Sequence, residues 1–288
     1  MPRLRSVVRR LLAASRLRLE RLAHGPDRLG VPRELVREGM FFGAGRFRST
    51  LVVRWPSGRY RVATADYDVS RRTFMSGPYG IERLLRAGEL IERETASAIR
   101  GCEVLEVGAN IGTTTIPLIT VLGAARVHAF EPVSRNFAML EENVALNGLA
   151  GCVSLHRAAV SDHVGSVALT ISDRFWGSSR VDNDAGADAS APCVTIDSLI
   201  ADGTIEPSGL ALVWVDVEGH EAAVLAGARS LPASVPLVLE HDPAQQADLA
   251  GLHAEIARRG GRLYDLSSGA AVSLAELGPT ATDLLLLV

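Results

Sequence analysis

The chain contains no lysine: all 30 basic residues among its 288 are arginine. Schiff-base lysines, pyridoxal-phosphate lysines and P-loop lysines are thereby excluded. Such a bias is the mark of a GC-rich, bacterial coding sequence. Cysteine is scarce. Cys102, Cys152 and Cys193 are odd in number and lack C-x-x-C spacing, which excludes a disulfide framework and a thiolate zinc site. Each sits in or beside an apolar strand, so buried small hydrophobes and a reducing cytoplasm are expected. No apolar run reaches about 18 residues, so no membrane-spanning helix is predicted. No uninterrupted apolar stretch follows the basic N-terminus, so no secretory signal is predicted. A G-x-S-x-G elbow is absent, which argues against a serine hydrolase. His220-Glu221 lacks the second histidine of a zincin.

What is present is unevenly charged. The net charge is −3, yet residues 1–40 carry ten arginines against Glu20, Asp27, Glu34 and Glu38. The acidic remainder argues against nucleic acid as a partner, because phosphate binding needs clustered cations. Residues 3–23 predict an amphipathic helix with Leu4, Val7, Val8, Leu11 and Leu12 on one side and arginines elsewhere. Three uses compete: packing on its own body or a second copy in a homodimer, docking an acidic partner, or lying on a membrane surface. Gly25-Pro26 and Gly30-Val31-Pro32 form a hinge after it.

Two regions are predicted: an N-terminal extension over 1–100 and a core domain over 101–288. A hairpin is expected over 46–65, turned at Pro56-Ser57-Gly58. Residues 68–100 predict helices broken at 76–80, a lid over the first core strand with Tyr79 as a substrate contact. From 102 onward strands and helices alternate, the pattern of a parallel sheet with helices on both faces. Strands are predicted at 102–107, 125–130, 152–156, 211–216 and 236–240, and two more at 261–266 and 283–288. Val167–Ile171 reads as an edge hairpin strand. Residues 172–192 read as a long loop, in which Trp176 is a second substrate contact.

The most informative segment is Val104-Leu-Glu-Val-Gly-Ala-Asn-Ile-Gly112, followed by Phe130-Glu131-Pro132. An apolar strand carrying Glu106 leads into a turn of Gly108, Ala109, Asn110 and Gly112, and Thr113 opens a helix. Asn tolerates positive φ better than most residues. Glu131, ending the next strand, is placed to accept ribose hydroxyls. The dinucleotide pattern fails, because it needs glycine where Asn110 and Thr113 stand. Two carboxylates at adjacent strand ends suit a nucleoside bearing hydroxyls and an amine, and the E-x-G-x-N-x-G spacing resembles the cofactor loop of S-adenosylmethionine-dependent methyltransferases. Ala158 and Ala159 are small enough to admit adenine, and Asp162 is placed to accept from its amine.

Ligands of open parallel sheets bind at the carboxyl ends of the strands. Asp216, Glu218, His220 and Glu221 cluster at one such end, and Glu240 and His241 at the next. His220, Asp216 and Glu240, in that order, are the candidate bases, with Glu218 beside them. Trp214 and His241 are candidate substrate contacts. A metal is not expected, although Asp216, His220 and Glu240 offer an oxygen-rich set for Mg²⁺ or a mixed set for Zn²⁺.

Over roughly 75–288 the chain resembles the FkbM-type methyltransferases. The resemblance rests on 104–112, on 130–132 and on Asn143 through Asn147-Gly148. It continues with Thr195-Ile196-Asp197-Ser198-Leu199 and Val215-Asp216-Val217-Glu218-Gly219-His220-Glu221. It implies a class I methyltransferase fold, a Rossmann-like, seven-stranded, mostly parallel sheet with an antiparallel last pair. It also implies S-adenosylmethionine as donor and S-adenosylhomocysteine as product. By position, Glu106, Gly108, Asn110, Gly112 and Glu131 would bind the donor, and 216–221 would face the acceptor. Relatives usually carry lysine where Trp214 stands. The implied activity is methylation of a hydroxyl on a secondary metabolite or sugar. The alternatives are N-methylation of a peptide, amide or carrier-bound intermediate, and a non-catalytic module docking a partner through 1–24.

Overall fold

A computed structural model describes residues 33–95, 97–181 and 188–288. The arginine-rich helix of 3–23 and its hinge lie outside the described residues. The chain divides into two compact units, Met1–Ser49 and Thr50–Val288. The described part of the first is α1 (Arg33–Gly45) and the turn that follows it; Glu34 in the first turn complements the helix dipole.

The second unit begins with an antiparallel hairpin, β1 (Thr50–Trp55) and β2 (Gly58–Ala63). The lid segment follows as α2 (Val69–Ser76) and α3 (Ile81–Thr95), broken at Gly77-Pro78-Tyr79-Gly80 as the sequence predicts. Alternation then runs β3 (Glu103–Val107), α4 (Thr115–Thr120), β4 (Arg126–Phe130), α5 (Ser134–Leu146) and β5 (Val153–His156). It resumes with α6 (Ile196–Ala201), β10 (Leu210–Val215), α7 (Glu221–Ala226), β11 (Leu237–His241) and α8 (Leu249–Arg259). The chain closes with β12 (Arg262–Asp265), β13 (Ala271–Val272) and β14 (Thr282–Leu287).

The main sheet has the order β13-β12-β14-β11-β10-β3-β4-β5. Strands β11, β10, β3, β4 and β5 run parallel; β14 is antiparallel to β11 and β12. The sheet is thus the expected one with a short eighth strand, β13, paired antiparallel to β12. Side chains alternate across it. Leu105, Val213 and Leu239 face a core shared with α6, α7 and α8. Val104, Leu212 and Val238 face a second core shared with α3, α4 and α5.

The edge strand and the long loop are corrected. Residues around Val167 do not extend the main sheet. They form β7 (Gly165–Thr170) of a separate four-stranded sheet, β6-β9-β7-β8, with β6 (Ala159–Val160), β8 (Arg180–Val181) and β9 (Ala189–Val194). The expected loop of 172–192 thus holds β8 and the first four residues of β9. In β9 only Ala191 and Cys193 are buried, and residues this small carry almost no hydrophobic alternation.

The hairpin is tied down by two asparagines of α5 and its C-cap. Asn143 Oδ1 accepts from Arg61 N at 2.6 Å, and its Nδ2 donates to Arg61 O at 3.0 Å and Ile111 O at 2.8 Å. Asn147 repeats the pattern on Arg59, accepting at 2.8 Å and donating at 2.7 Å.

Candidate active site

The carboxyl ends of β3, β4, β10 and β11 open into one cleft of about 330 Å³, closed on one side by α2 and α3. The turn after β3 forms its floor. Gly108 has φ +91°, and a Cβ there would stand 1.8 Å from the Asp216 carbonyl oxygen. The β3 and β10 loops thus meet backbone to backbone, which only glycine allows. Asn110 adopts φ +50° and Gly112 φ +89°. A Cβ on Gly112 would stand 2.9 Å from Leu140 Cδ1, so Gly112 serves packing on α5 and does not line the cleft.

Glu131 organises this floor. Its Oε2 accepts from Asn110 N at 2.9 Å and its Oε1 from Val133 N at 2.8 Å. Each oxygen keeps a second lone pair. Burial raises its carboxyl to about 7. Glu106 lies beneath the cleft, 1% exposed. Thr115 Oγ1 donates to its Oε2 at 2.6 Å, and burial raises it to about 8.

Several buried polar atoms here have no partner: Glu106 Oε1 beneath the cleft, and Asn110 Oδ1, Asn136 Oδ1 and Glu240 Oε2 on its lining residues. Buried polar atoms are rarely left unpaired. A ligand rich in hydroxyl and amine groups would complete this set.

Beyond Glu131 the cleft continues as an apolar slot of Phe130, Val133, Ala158, Ala159, Val160 and Leu169. Asp162 does not enter it, which corrects its placement at the adenine amine. Its side chain is 55% exposed and accepts from His163 Nδ1 at 2.8 Å and Ser161 Oγ at 3.1 Å. Ser161 Oγ lies 2.9 Å from His220 Nε2, and His220 lines the cleft. The charges felt by His220 are those of Asp162 and His163, and burial lowers its pKa.

The opposite end is acidic. Asp216, Glu218 and Glu240 each bring a carboxylate oxygen to within 4.8 Å of the other two. Glu218 adopts φ +53°, a strained conformation characteristic of functional turns. Burial, then repulsion from Asp283 and Glu221, raises Asp216 to about 7; burial, then repulsion from Asp216, raises Glu218 to about 8 and Glu240 to about 10. Arg83 of α3 opposes the rise at Asp216. Its guanidinium ion-pairs with buried Asp283 of β14 and sits 5.0 Å from the Tyr79 ring, whose other neighbour is Arg72 at 4.8 Å. Arg72, Arg83, Asp68, Asp242 and Gln245 also line the cleft; sequence reasoning missed all five. Arg83 had one signal, its i+4 spacing from Tyr79.

Tyr79, Trp176, Trp214 and Thr113 line the cleft as well. Trp214 is only 4% exposed and mainly packs in the second core. Arg135 lies over the Trp176 ring at 4.6 Å. Glu221 is fully buried, accepting from Val217 N at 2.9 Å and Gln246 Nε2 at 2.6 Å, so it braces the turn. His241 does not reach the cleft, which corrects its role as a substrate contact. It follows Glu240 on β11 and so faces the other side of the sheet, stacked on His253 at 5.3 Å.

Such a sheet, with a glycine turn and an acidic second-strand end, defines a class I methyltransferase. The family model described as the methyltransferase FkbM domain matches residues 106–263. The chain belongs to the FkbM methyltransferase family and is an S-adenosylmethionine-dependent methyltransferase. It is similar to methyltransferase FkbM from Methylobacillus flagellatus KT, with 17% identity over 88% of this chain and 59% of that one, at a TM-score of 0.45. It is also similar to Pyrococcus horikoshii TYW2, with 14% identity over 83% of this chain and 70% of that one, at 0.44. Precorrin-6y C5,15-methyltransferase from Geobacter metallireducens GS-15 gives 11% over 72% and 88%, at 0.42. No curated protein matches the chain.

Proposed function

We propose that the enzyme methylates a hydroxyl oxygen of a small secondary metabolite or sugar, with Asp216 as the proton acceptor. Glu131 would hold the ribose hydroxyls of S-adenosylmethionine through its free lone pairs, Gly108 to Asn110 would cradle it, and Glu106 would stabilise its amine. The bound donor supplies an electrophilic methyl on a sulfonium. Asp216 carries the reading: Gly108 brings the cofactor turn against its backbone, and its raised carboxyl is poised near neutral pH. Glu218 and Glu240 hold protons at neutral pH and would orient the acceptor by donating to it. Tyr79, Trp176 and the lid helices would shut out water.

The same reading places the enzyme in a reducing cytoplasm, supported by three cysteines that are all free. Among the described residues no helix is long and apolar enough to cross a membrane. A metal is not required, because Arg83 supplies positive charge beside Asp216. Turnover that survives a chelator supports this; loss restored by Mg²⁺ would make the carboxylate trio a metal site. The test of the acceptor is product fragmentation by mass spectrometry, with Asp216→Asn as control. Oxygen-linked methyl and a loss of turnover of roughly 10²–10⁴-fold are expected. Methyl on an amide nitrogen would favour the peptide alternative.

A further inference from the structure

His220 stands apart from the carboxylates it was grouped with in the sequence. It faces the end of β6, where Ala158, Ala159 and Val160 wall the apolar slot. A ribose held by Glu131 of β4 leaves its base to lie in this slot, one strand further out. We propose that His220 reads the 6-amino group of the adenine, and that Ser161 and Asp162 position it by fixing which ring nitrogen carries the proton. This rests on the cofactor placement given above.

The hydrogen bonds dictate the tautomer. Ser161 is 1% exposed and has a single hydroxyl proton, which it donates to Asp162 at 3.1 Å. Its oxygen can therefore only accept from His220, 2.9 Å away. On this assignment His220 Nε2 carries the proton, and Nδ1, which has no partner among the described residues, carries a lone pair. Burial keeps the ring neutral. A lone pair at the base-binding end accepts from an amine and repels a carbonyl. Adenine offers the amine, and hypoxanthine offers the carbonyl. Asp162, anchored by His163 at 2.8 Å, thus acts on the base at one remove. The reversed tautomer would turn the Ser161 proton to Nε2 and cost Asp162 the bond from Ser161.

The test is calorimetric binding of S-adenosylhomocysteine and S-inosylhomocysteine to the full chain and to Ser161→Ala, His220→Phe and His220→Gln. The unsubstituted enzyme is expected to prefer the adenosyl ligand by about tenfold or more, the scale of one buried hydrogen bond. Ser161→Ala should gain affinity for the inosyl ligand, because the freed ring can then donate from Nδ1. His220→Phe should lose the preference, and His220→Gln, whose carbonyl still accepts, should keep part of it. Equal weakening of both ligands in all three variants would make the cluster merely structural and overturn the inference. An unsubstituted enzyme that binds both ligands equally would also overturn it while sparing the cofactor placement. Binding of neither ligand would overturn both.

Discussion

At the scale of single residues, the cleft is a set of buried polar atoms lacking partners, shaped by two non-glycine residues at positive φ. Asp216 is the residue on which chemistry depends. Its carboxyl is raised to about 7 chiefly by burial, so its basic form appears as pH rises through neutrality. Turnover at saturating substrates should climb between pH 6 and 8, and a pH–rate profile of Asp216→Asn should lose that limb. A flat profile for the unsubstituted enzyme would remove Asp216 as base. The residue identities at the site were largely legible, because Gly108, Asn110 and Glu131 act through backbone geometry and spacing. Their interplay was not. That Glu131 clamps the Asn110 amide, or that Ser161 claims Asp162, depends on distances between strand ends that no local pattern encodes. His220 was grouped with Asp216 because four positions separate them, but the turn at Glu218 sends the two in different directions.

At the scale of elements, periodicity read the parallel strands well: β10 is buried on both faces and runs apolar without break, and β3, β4 and β11 are mostly buried around a few polar residues. The lid helices and the hairpin were equally legible from their breakers. Strand β9 was not, because alanine, serine and cysteine hide its alternation. No helix is predicted from the sequence at α8, because only Leu249, Leu252 and Ile256 are large and apolar in it. The sequence showed Asn143 and Asn147 only as motif letters; in the fold they bind the hairpin to α5 and the glycine turn. Asn143→Ala leaves the amide and carbonyl of Arg61 and the carbonyl of Ile111 without partners. It should destabilise the fold by about 2–4 kcal/mol, taking about 1–3 kcal/mol for the buried Ile111 carbonyl left unpaired and about 0.5 kcal/mol for each of the two half-buried Arg61 bonds, as measured by denaturant unfolding. A loss below about 0.5 kcal/mol would show that the hairpin docks without it. Gly108→Ala is more severe. The new Cβ meets Asp216 backbone, so the β3 and β10 loops must part, and ligand binding should vanish even where the fold survives.

At the scale of the whole molecule, the cleft concentrates acid groups that fold with raised pKa values. Glu131 and Asp216 sit near 7, Glu106 and Glu218 near 8, and Glu240 near 10. In the unfolded chain such groups titrate near 4. The folded state therefore binds more protons between those limits, and stability falls as pH rises through the folded values. The ligand-free enzyme should have a higher denaturant midpoint at pH 5.5 than at pH 8.5. Cationic S-adenosylmethionine should narrow that gap, because it binds the ionised cleft best. An unchanged gap with ligand would separate these carboxylates from the donor site. The most direct single measurement is calorimetric titration of S-adenosylmethionine into the enzyme and into Glu131→Gln. Micromolar binding that weakens at least tenfold in the variant is expected, since charged hydrogen bonds of about 1.5–3 kcal/mol would be lost. Equal affinity in the two proteins would contradict the placement of the donor in this cleft.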